Sequence, residues 1–122
     1  MGNQLKPEEI HGKKIIAVAG YDIFGKQVLN TLNKELADKG LLLIGINIRD
    51  DDFDFFISNL ANSKVEVTIF MHEFQERARE FFKLEKNLLC AYKDSKELSF
   101  ITSDEKKHLD DGEILNIIGR IK

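Results

Sequence analysis

The sequence predicts an α/β domain with three layers, α/β/α, whose mostly parallel sheet carries an antiparallel hairpin near the C-terminus. Short apolar runs alternate along the chain with segments whose apolar residues recur at helical spacing. The last two apolar runs lie close together, with the turn-forming residues 94–96 (Asp-Ser-Lys) between them. A length of 122 residues suffices for one core, so we expect a single domain over 1–122, with about 1–13 as an N-terminal extension.

Five strands are predicted from short runs rich in aliphatic and β-branched residues. The runs at 15–19, 41–48 and 65–70 are each followed by helical periodicity, which is typical of buried parallel strands. The runs at 87–92 and 98–102 flank the predicted turn and form the hairpin. We expect the first strand to be central, because doubly wound sheets reverse direction beside it.

Four helical segments are predicted between and after these strands, and three of them have a polar cap or a glycine stop. They are 24–39, which ends at Gly40; a short helix capped by Asp51 or Asp52; 73–82; and a last region capped by Ser103 or Asp104, which runs to Lys122 with an interruption at 110–112.

The composition excludes several classes of protein. The net charge of −3 comes from acidic and basic residues that are scattered, so we expect no nucleic-acid partner. The longest apolar run, 41–48, is far shorter than the ~18 residues of a membrane span, and no membrane association is expected. The first residues lack the apolar core of a signal peptide, so we expect a cytoplasmic location.

The cysteine and the histidines indicate neither a disulfide framework nor a metal site. Cys90 is the only cysteine and lies inside an apolar run, so we expect it to be a buried small hydrophobic residue. His11, His72 and His108 show no metal-ligand spacing with each other or with acidic residues.

The segment 65–72, VEVTIFMH, follows an acidic cap and an amphipathic stretch at 51–63. In this setting it resembles V-N-V-T-I-P-H-K, the signature of the substrate-binding half of shikimate dehydrogenases. Two further segments share the resemblance: 76–80 (ERARE), and 102–104 (TSD), where the family typically has Asn-Thr-Asp. From about residue 15 to residue 104, the chain resembles the substrate-binding domain of that family.

The resemblance implies hydride transfer between NADP and a hydroxyl-bearing ring carbon, a reaction of aromatic amino acid biosynthesis. A lysine and an aspartate manage the hydroxyl in the family, because a nearby ammonium stabilises the developing alkoxide. Aligned residue by residue, the lysine position is His72 and the aspartate position is Asp104. The resemblance further implies that a crevice at the carboxyl ends of the strands collects the substrate-binding residues Tyr21, Asp22, Thr68, Asn87 and Ser103.

The departures from the family pattern predict a changed function. The paired serines that grip the substrate carboxylate are missing near 20–23, and Asp22 there would repel a carboxylate by about 1 kcal/mol in water. His72 has a shorter reach than lysine. No G-x-G-x-x-G motif occurs, so we expect no nucleotide-binding domain in this chain and NADP only on a separate domain. We therefore expect a small hydroxylated ring ligand, neutral or amine rather than acidic, and no dehydrogenase activity from this chain alone.

Two other functional classes stay open. The turn at 20–26, with glycines at both ends of Gly20-Tyr21-Asp22-Ile23-Phe24-Gly25, lies where nucleotide-binding folds hold phosphate, although bulky and acidic residues crowd it. A non-catalytic adaptor would instead bind a protein partner or form a homodimer through a sheet edge or an apolar patch. One ring of the segment 53–56 (FDFF) is expected to face outward.

Overall fold

The computed structural model describes residues 14–21, 34, 36, 39–94 and 97–121. Within these residues, the strands form one five-stranded sheet in the order β2-β1-β3-β4-β5. Their bounds are β1 Lys14–Gly20, β2 Leu41–Asn47, β3 Val65–Phe70, β4 Asn87–Asp94 and β5 Glu97–Ser103. β1 pairs in parallel with β2 and β3, whereas β4 is antiparallel to both β3 and β5. The predicted mixed sheet is confirmed.

Three α-helices are described: α1 Phe53–Ser58, α2 Gln75–Phe82 and α3 Asp111–Ile121. Single 3₁₀ turns precede α1 and α2, at Asp50–Asp52 and His72–Phe74, and a third covers Leu60–Asn62. None of the helices in the described ranges is long and apolar enough to cross a membrane.

Each face of the sheet has its own hydrophobic core, which confirms the three layers. On one face, β1 and β3 pack against α3, whose buried residues are Ile114, Ile117 and Ile118. On the other face, α1 and α2 bury Phe53 and Ala78 against the ends of the strands. Since α3 buries its apolar side chains on one face and α1 and α2 bury theirs on the other, the sheet is shielded from water on both faces.

β1 lies inside the sheet with a parallel neighbour on each side, as predicted, although β3 is the middle strand. The chain reaches β2 on one side of β1 and β3 on the other side. This reversal makes the carboxyl ends of β1 and β3 the topological switch point of the sheet.

The first predicted helix, 24–39, lies mostly outside the described residues, although Lys34 and Leu36 are helical. Gly40 follows it with a φ of +72°, a left-handed conformation that other residues adopt only with strain. The Gly40 carbonyl accepts a hydrogen bond from the Lys14 N–H at 3.0 Å, which joins this turn to the start of β1.

The predicted cap of the last helix was wrong. α3 begins at Asp111, and its cap is Asp110, whose Oδ1 accepts a hydrogen bond from the Glu113 N–H at 2.9 Å. Ser103 instead ends β5, and Asp104 lies in the non-helical segment that follows. The reason is tertiary: Gln75 binds both backbone polar groups of Lys107, so these groups are not available to a helical turn.

Asp52, one of the two predicted caps of α1, does lie at its N-cap position, but its side chain does not cap the helix. Both residues lie in the 3₁₀ turn before α1, and no side-chain capping hydrogen bond is made there. The turn is stabilised by a backbone bond from the Asp52 N–H to the Arg49 carbonyl at 3.0 Å.

Cys90 is fully buried in β4, as predicted, and burial raises the pKa of its thiol to about 12. Because the thiolate is the reactive species, we expect the native protein at about pH 8 to react with a chromogenic aromatic disulfide at least ~100-fold more slowly than the urea-unfolded chain. Absorbance of the released thiolate measures both rates on the one cysteine. Equal rates would contradict the buried position.

Candidate functional site

An open depression of about 640 Å³ lies at the carboxyl-end edge of the sheet, between α2 and the loops that flank β4 and β5. We call it the basin. It is lined by His72, Glu76, Arg79, Glu85, Lys86, Asn87, Asp104, Glu105 and Lys106. Three predicted site residues, His72, Asn87 and Asp104, are therefore brought together here.

His72 begins the 3₁₀ turn that follows β3, and it is half-buried. Its ring stacks on the ring of His108, with 4.0 Å between the centroids and 8° between the planes. This stack covers one face of the His72 imidazole, so its ring nitrogens are the groups left for polar contacts. The sequence placed His72 at the site but gave no sign of the contact with His108.

Asn87 and Asp104 meet because β4 begins where β5 ends. Asn87 is paired in register with Ser103, and its Nδ2 donates a hydrogen bond to the Asp104 carbonyl at 3.3 Å. The Asp104 carboxylate is 81% exposed and lies 3.4 Å from the Lys86 ammonium. Ser103 is half-buried and does not line the basin.

Opposite charges alternate around the basin. Arg79 lies 3.8 Å from Glu76, and the Lys106 ammonium lies 3.5 Å from the same carboxylate. Four acidic and three basic side chains line the depression, which leaves a net charge of −1 with a neutral imidazole. Each exposed pair contributes little to stability, but together the pairs leave no concentrated positive field for an anion.

Gln75 is a site-forming residue that the sequence analysis missed. Its side chain is fully buried, and its Nε2 donates hydrogen bonds to the carbonyls of Phe70 at 3.0 Å and Lys107 at 2.8 Å. Its Oε1 accepts a hydrogen bond from the Lys107 N–H at 2.7 Å. One amide thus joins the end of β3 to the loop that carries His108. A polar residue at the first position of a helix gave no signal for this role, since such residues are usually exposed.

Tyr21 lies outside the basin, in a separate network that the sequence analysis also missed. Its hydroxyl donates a hydrogen bond to the Asp50 carboxylate at 2.5 Å, and its backbone N–H donates one to Glu73 at 2.8 Å. Arg77 holds Asp50 as well, with Nη1 3.2 Å from the carboxylate and Nη2 3.1 Å from the carbonyl.

Aromatic packing fixes this network in place. The Tyr21 ring meets Phe74 edge-on at 4.9 Å, and Phe74 stacks on Phe53 at 4.6 Å. The Arg77 guanidinium lies 4.6 Å from the centroid of the Phe53 ring, a cation–π distance. Arg77 therefore has a packing role in addition to its charge.

Of the remaining predicted residues, the one that the structure describes, Thr68, does not reach the basin. Thr68 is buried within β3, between Ala17 of β1 and Ala91 of β4 in the register, and is only 3% exposed. Asp22 lies outside the described residues. The single crevice that the sequence predicted is thus divided into the basin, on the side of β4 and β5, and the Tyr21 network, on the side of β2.

The hydrogen bond to Asp50 is the main cause that raises the pKa of Tyr21 above its usual value of 10.0. Because the folded pKa is raised, the hydrogen bond stabilises the fold fully below about pH 10, and this contribution is lost as the pH rises through the raised value. We expect Asp50→Asn to lower the pH at which Tyr21 ionises. Ultraviolet titration of tyrosinate measures this, with Tyr21→Phe to assign the signal, and an unchanged midpoint would contradict the bond.

NADP is the cofactor that the resemblance implies, but the described residues do not fit its phosphates. A phosphate needs free N–H donors or cations at the turn after a strand. After β1, the Tyr21 N–H is already bonded to a carboxylate, and Arg77 pairs with Asp50 and with Asp54 at 3.8 Å. We therefore assign no step to NADP on this chain.

The fold is similar to that of part of the shikimate dehydrogenases. Shikimate dehydrogenase 1 from Peptoclostridium difficile superposes with a TM-score of 0.58 at 8% identity, over 71% of this chain and 36% of that one. A shikimate dehydrogenase solved in complex with NADP⁺ gives a TM-score of 0.56 at 7% identity, over 70% of this chain and 33% of that one. This chain therefore spans about a third of the length of those structures.

The sequence matches no family model and no curated protein. The structural likeness confirms the resemblance at the level of the fold.

Proposed function

We propose that this chain is a diverged substrate-binding domain of the shikimate dehydrogenase type that binds a small hydroxylated ring ligand in the basin. The observation that carries the proposal is the meeting of His72, Asn87 and Asp104 at one depression on the carboxyl-end edge of the sheet. Ligands of open α/β sheets bind at this edge, because the loops that follow the strands converge there.

The polar groups of the basin suit a hydroxyl group. An amide offers two N–H donors, and Asn87 uses one on the Asp104 carbonyl. The exposed Asp104 carboxylate accepts hydrogen bonds only, so a ligand hydroxyl donates to it and accepts from the amide. A polyol ring that presents neighbouring hydroxyls would satisfy both groups at once.

The charges of the basin favour a neutral ligand or an amine over a carboxylic acid. Lys86, Arg79 and Lys106 each have an acidic partner within 4 Å, so an incoming carboxylate would have to displace one of them. The net charge of −1 also opposes an anion at close range.

We further propose that the chain alone is not a dehydrogenase. At the position that matches the family lysine, His72 stacks on His108, and an imidazole held in this way does not place an ammonium against a substrate hydroxyl. Incubation with shikimate and NADP, followed by nicotinamide absorbance, tests this. We expect no change, and turnover above a protein-free blank would contradict it.

Backbone NMR titration with myo-inositol, shikimate and quinate tests binding. We expect saturable shifts from myo-inositol at the amides of His72, Asn87 and Asp104, and weaker or no shifts there from the two acids. Asp104→Ala should weaken polyol binding about tenfold or more, because a charge-assisted hydrogen bond is lost.

Asp94→Ala is the matched control, because it removes the same charge at the opposite end of the β4–β5 hairpin. An equal loss of affinity in Asp94→Ala would show that only the overall charge matters. Saturable shikimate binding by the wild-type basin would contradict the proposed ligand class. The absence of shifts from all three compounds would contradict ligand binding and favour the second candidate.

The second candidate function is self-association, and an exposed apolar surface favours it. Phe55 is 75% exposed on α1, beside an apolar cleft of about 390 Å³ that reaches Ile46 and Ile48 at the end of β2. Exposed apolar surface of this kind often marks a protein interface. Sedimentation velocity over a range of concentrations tests it: association should be lost in Phe55→Ser, and a monomer at every concentration would contradict it.

A further inference from the structure

The topological switch point of this sheet lies between 20–21, after β1, and 71–73, after β3, and we call the edge between these two segments the switch-point crevice. In doubly wound sheets this crevice is where ligands bind. Two carbonyls at the end of β1 already accept backbone hydrogen bonds: Ala19 from the Met71 N–H at 3.0 Å on the β3 side, and Gly20 from the Ile48 N–H at 2.8 Å on the β2 side. The Tyr21 N–H is thus the next backbone donor that a ligand would meet after β1.

Three donors around this crevice are suited to an anion, and all three already contact a carboxylate of the chain itself. The Tyr21 N–H donates to Glu73 at 2.8 Å, and the Tyr21 hydroxyl donates to Asp50 at 2.5 Å. The Arg77 guanidinium lies 3.2 Å from the same Asp50 carboxylate. A backbone N–H, a phenol and a guanidinium form a set that recognises carboxylates in general.

The two carboxylates are held differently. Asp50 is bound by two side chains and is part of the turn before α1, so its removal would disturb the whole network. Glu73 is half-buried and belongs to the turn after β3, and its carboxylate is joined to the network by the Tyr21 N–H. Of the two, Glu73 is therefore the group whose removal frees a donor with little other disturbance.

We propose that the Glu73 carboxylate occupies the position of an anionic ligand in the switch-point crevice, and that Glu73 thereby determines the selectivity of this protein against carboxylic acids. The inference rests on the proposed function, which holds that the basin binds neutral ligands or amines in preference to carboxylic acids. Glu73 would be a second reason, at another place on the same edge of the sheet, why carboxylic acids are not bound. It adds a specificity-determining residue that lies outside the basin.

Glu73→Ala tests the inference, with acetate and shikimate as probes and the Tyr21 backbone amide as the NMR reporter. Removal of the internal carboxylate frees the Tyr21 N–H, so both probes should give saturable shifts at that amide, with an affinity at least tenfold above that of the wild type. The control is Glu97→Ala, which removes the same charge from the exposed first residue of β5 and should leave the wild-type response unchanged.

Glu73→Gln shows whether acids are excluded by the charge of Glu73 or by its side chain filling the position next to the Tyr21 N–H. The same variant is used in place of Glu73→Ala if Glu73→Ala does not fold. Its amide oxygen still accepts from the Tyr21 N–H but carries no charge. A gain of acetate binding in Glu73→Gln shows that the charge excludes acids, and a gain in Glu73→Ala alone shows that occupancy does; both outcomes support the inference. The inference is overturned if acetate and shikimate shift the Tyr21 amide signal in none of the folded Glu73 variants. It is also overturned if the wild type or Glu97→Ala shows shifts as large as those of the Glu73 variants.

The proposed ligand binding in the basin and the Glu73 inference are tested by different measurements, so one can be contradicted without the other. Polyol shifts at Asn87 and Asp104 in the wild type test ligand binding in the basin, whereas the Tyr21 amide in the Glu73 variants tests the crevice. Acid binding gained in Glu73→Ala without any polyol binding would remove the proposed function and leave the Glu73 inference standing.

Discussion

Gln75→Ala is expected to lower the free energy of unfolding by about 2–4 kcal/mol. The change deletes three hydrogen bonds and leaves the Phe70 carbonyl without its partner inside the protein. A buried polar group that loses its partner costs roughly 1–3 kcal/mol, and the space left by the side chain adds to this. Urea unfolding followed by circular dichroism would show a lower midpoint.

Gln75→Ala should also disturb the contact between His72 and His108, because Gln75 fixes the loop at Lys107. The NMR signals of both imidazoles should shift or broaden below the unfolding midpoint. Glu80→Ala, on an exposed position of the same helix, is the control and should change stability by less than about 1 kcal/mol. If Gln75→Ala were as stable as Glu80→Ala, water would replace the hydrogen bonds of the Gln75 amide without a loss in the free energy of unfolding.

Phe53→Ala is expected to cost about 3–5 kcal/mol, a large share of the stability of a domain of this size. The Phe53 ring is fully buried; it stacks on Phe74 at 4.6 Å, meets Phe70 edge-on at 6.2 Å and supports the Arg77 guanidinium. Its removal leaves a cavity and withdraws the surface on which Arg77 rests. Chemical unfolding measures the loss.

Phe55→Ala is the matched control, since it changes the same residue type two positions away on the same short helix. Phe55 is 75% exposed, so its truncation should change the free energy of unfolding by no more than about 0.5 kcal/mol. Equal effects at the two positions would contradict the burial of Phe53 in the core.

The strands were predictable because their apolar runs are local signals. β3 was predicted with its observed bounds, and the other four strands differ from the prediction by one or two residues at an end. The outward ring in 53–56 was predicted as well, and it is Phe55. Helix starts were less predictable, because Asp104 and Asp110 are equally good caps in sequence, and only the contact of Gln75 with Lys107 determines which one is used.

The site was predictable only where strand ends define it. His72, Asn87 and Asp104 meet because β3, β4 and β5 place their ends at one edge. The Tyr21 network could not be predicted, because it depends on side chains from three separate turns. The spacing of residues along the chain does not show that the Glu73 side chain points toward the Tyr21 N–H.

The mixture of parallel and antiparallel pairing also has a consequence for the order of folding. β3, β4 and β5 follow one another along the chain and pair with short loop closures, whereas the pairing of Ile15 with Val65 closes a loop of roughly 50 residues. We expect the β3–β4–β5 unit to gain hydrogen-exchange protection first, and β1 to join it later. His72, Asn87 and Asp104 all belong to the early unit or its flanking turns. We therefore expect the basin to form before β1 pairs with β3 and places Tyr21 at the switch point.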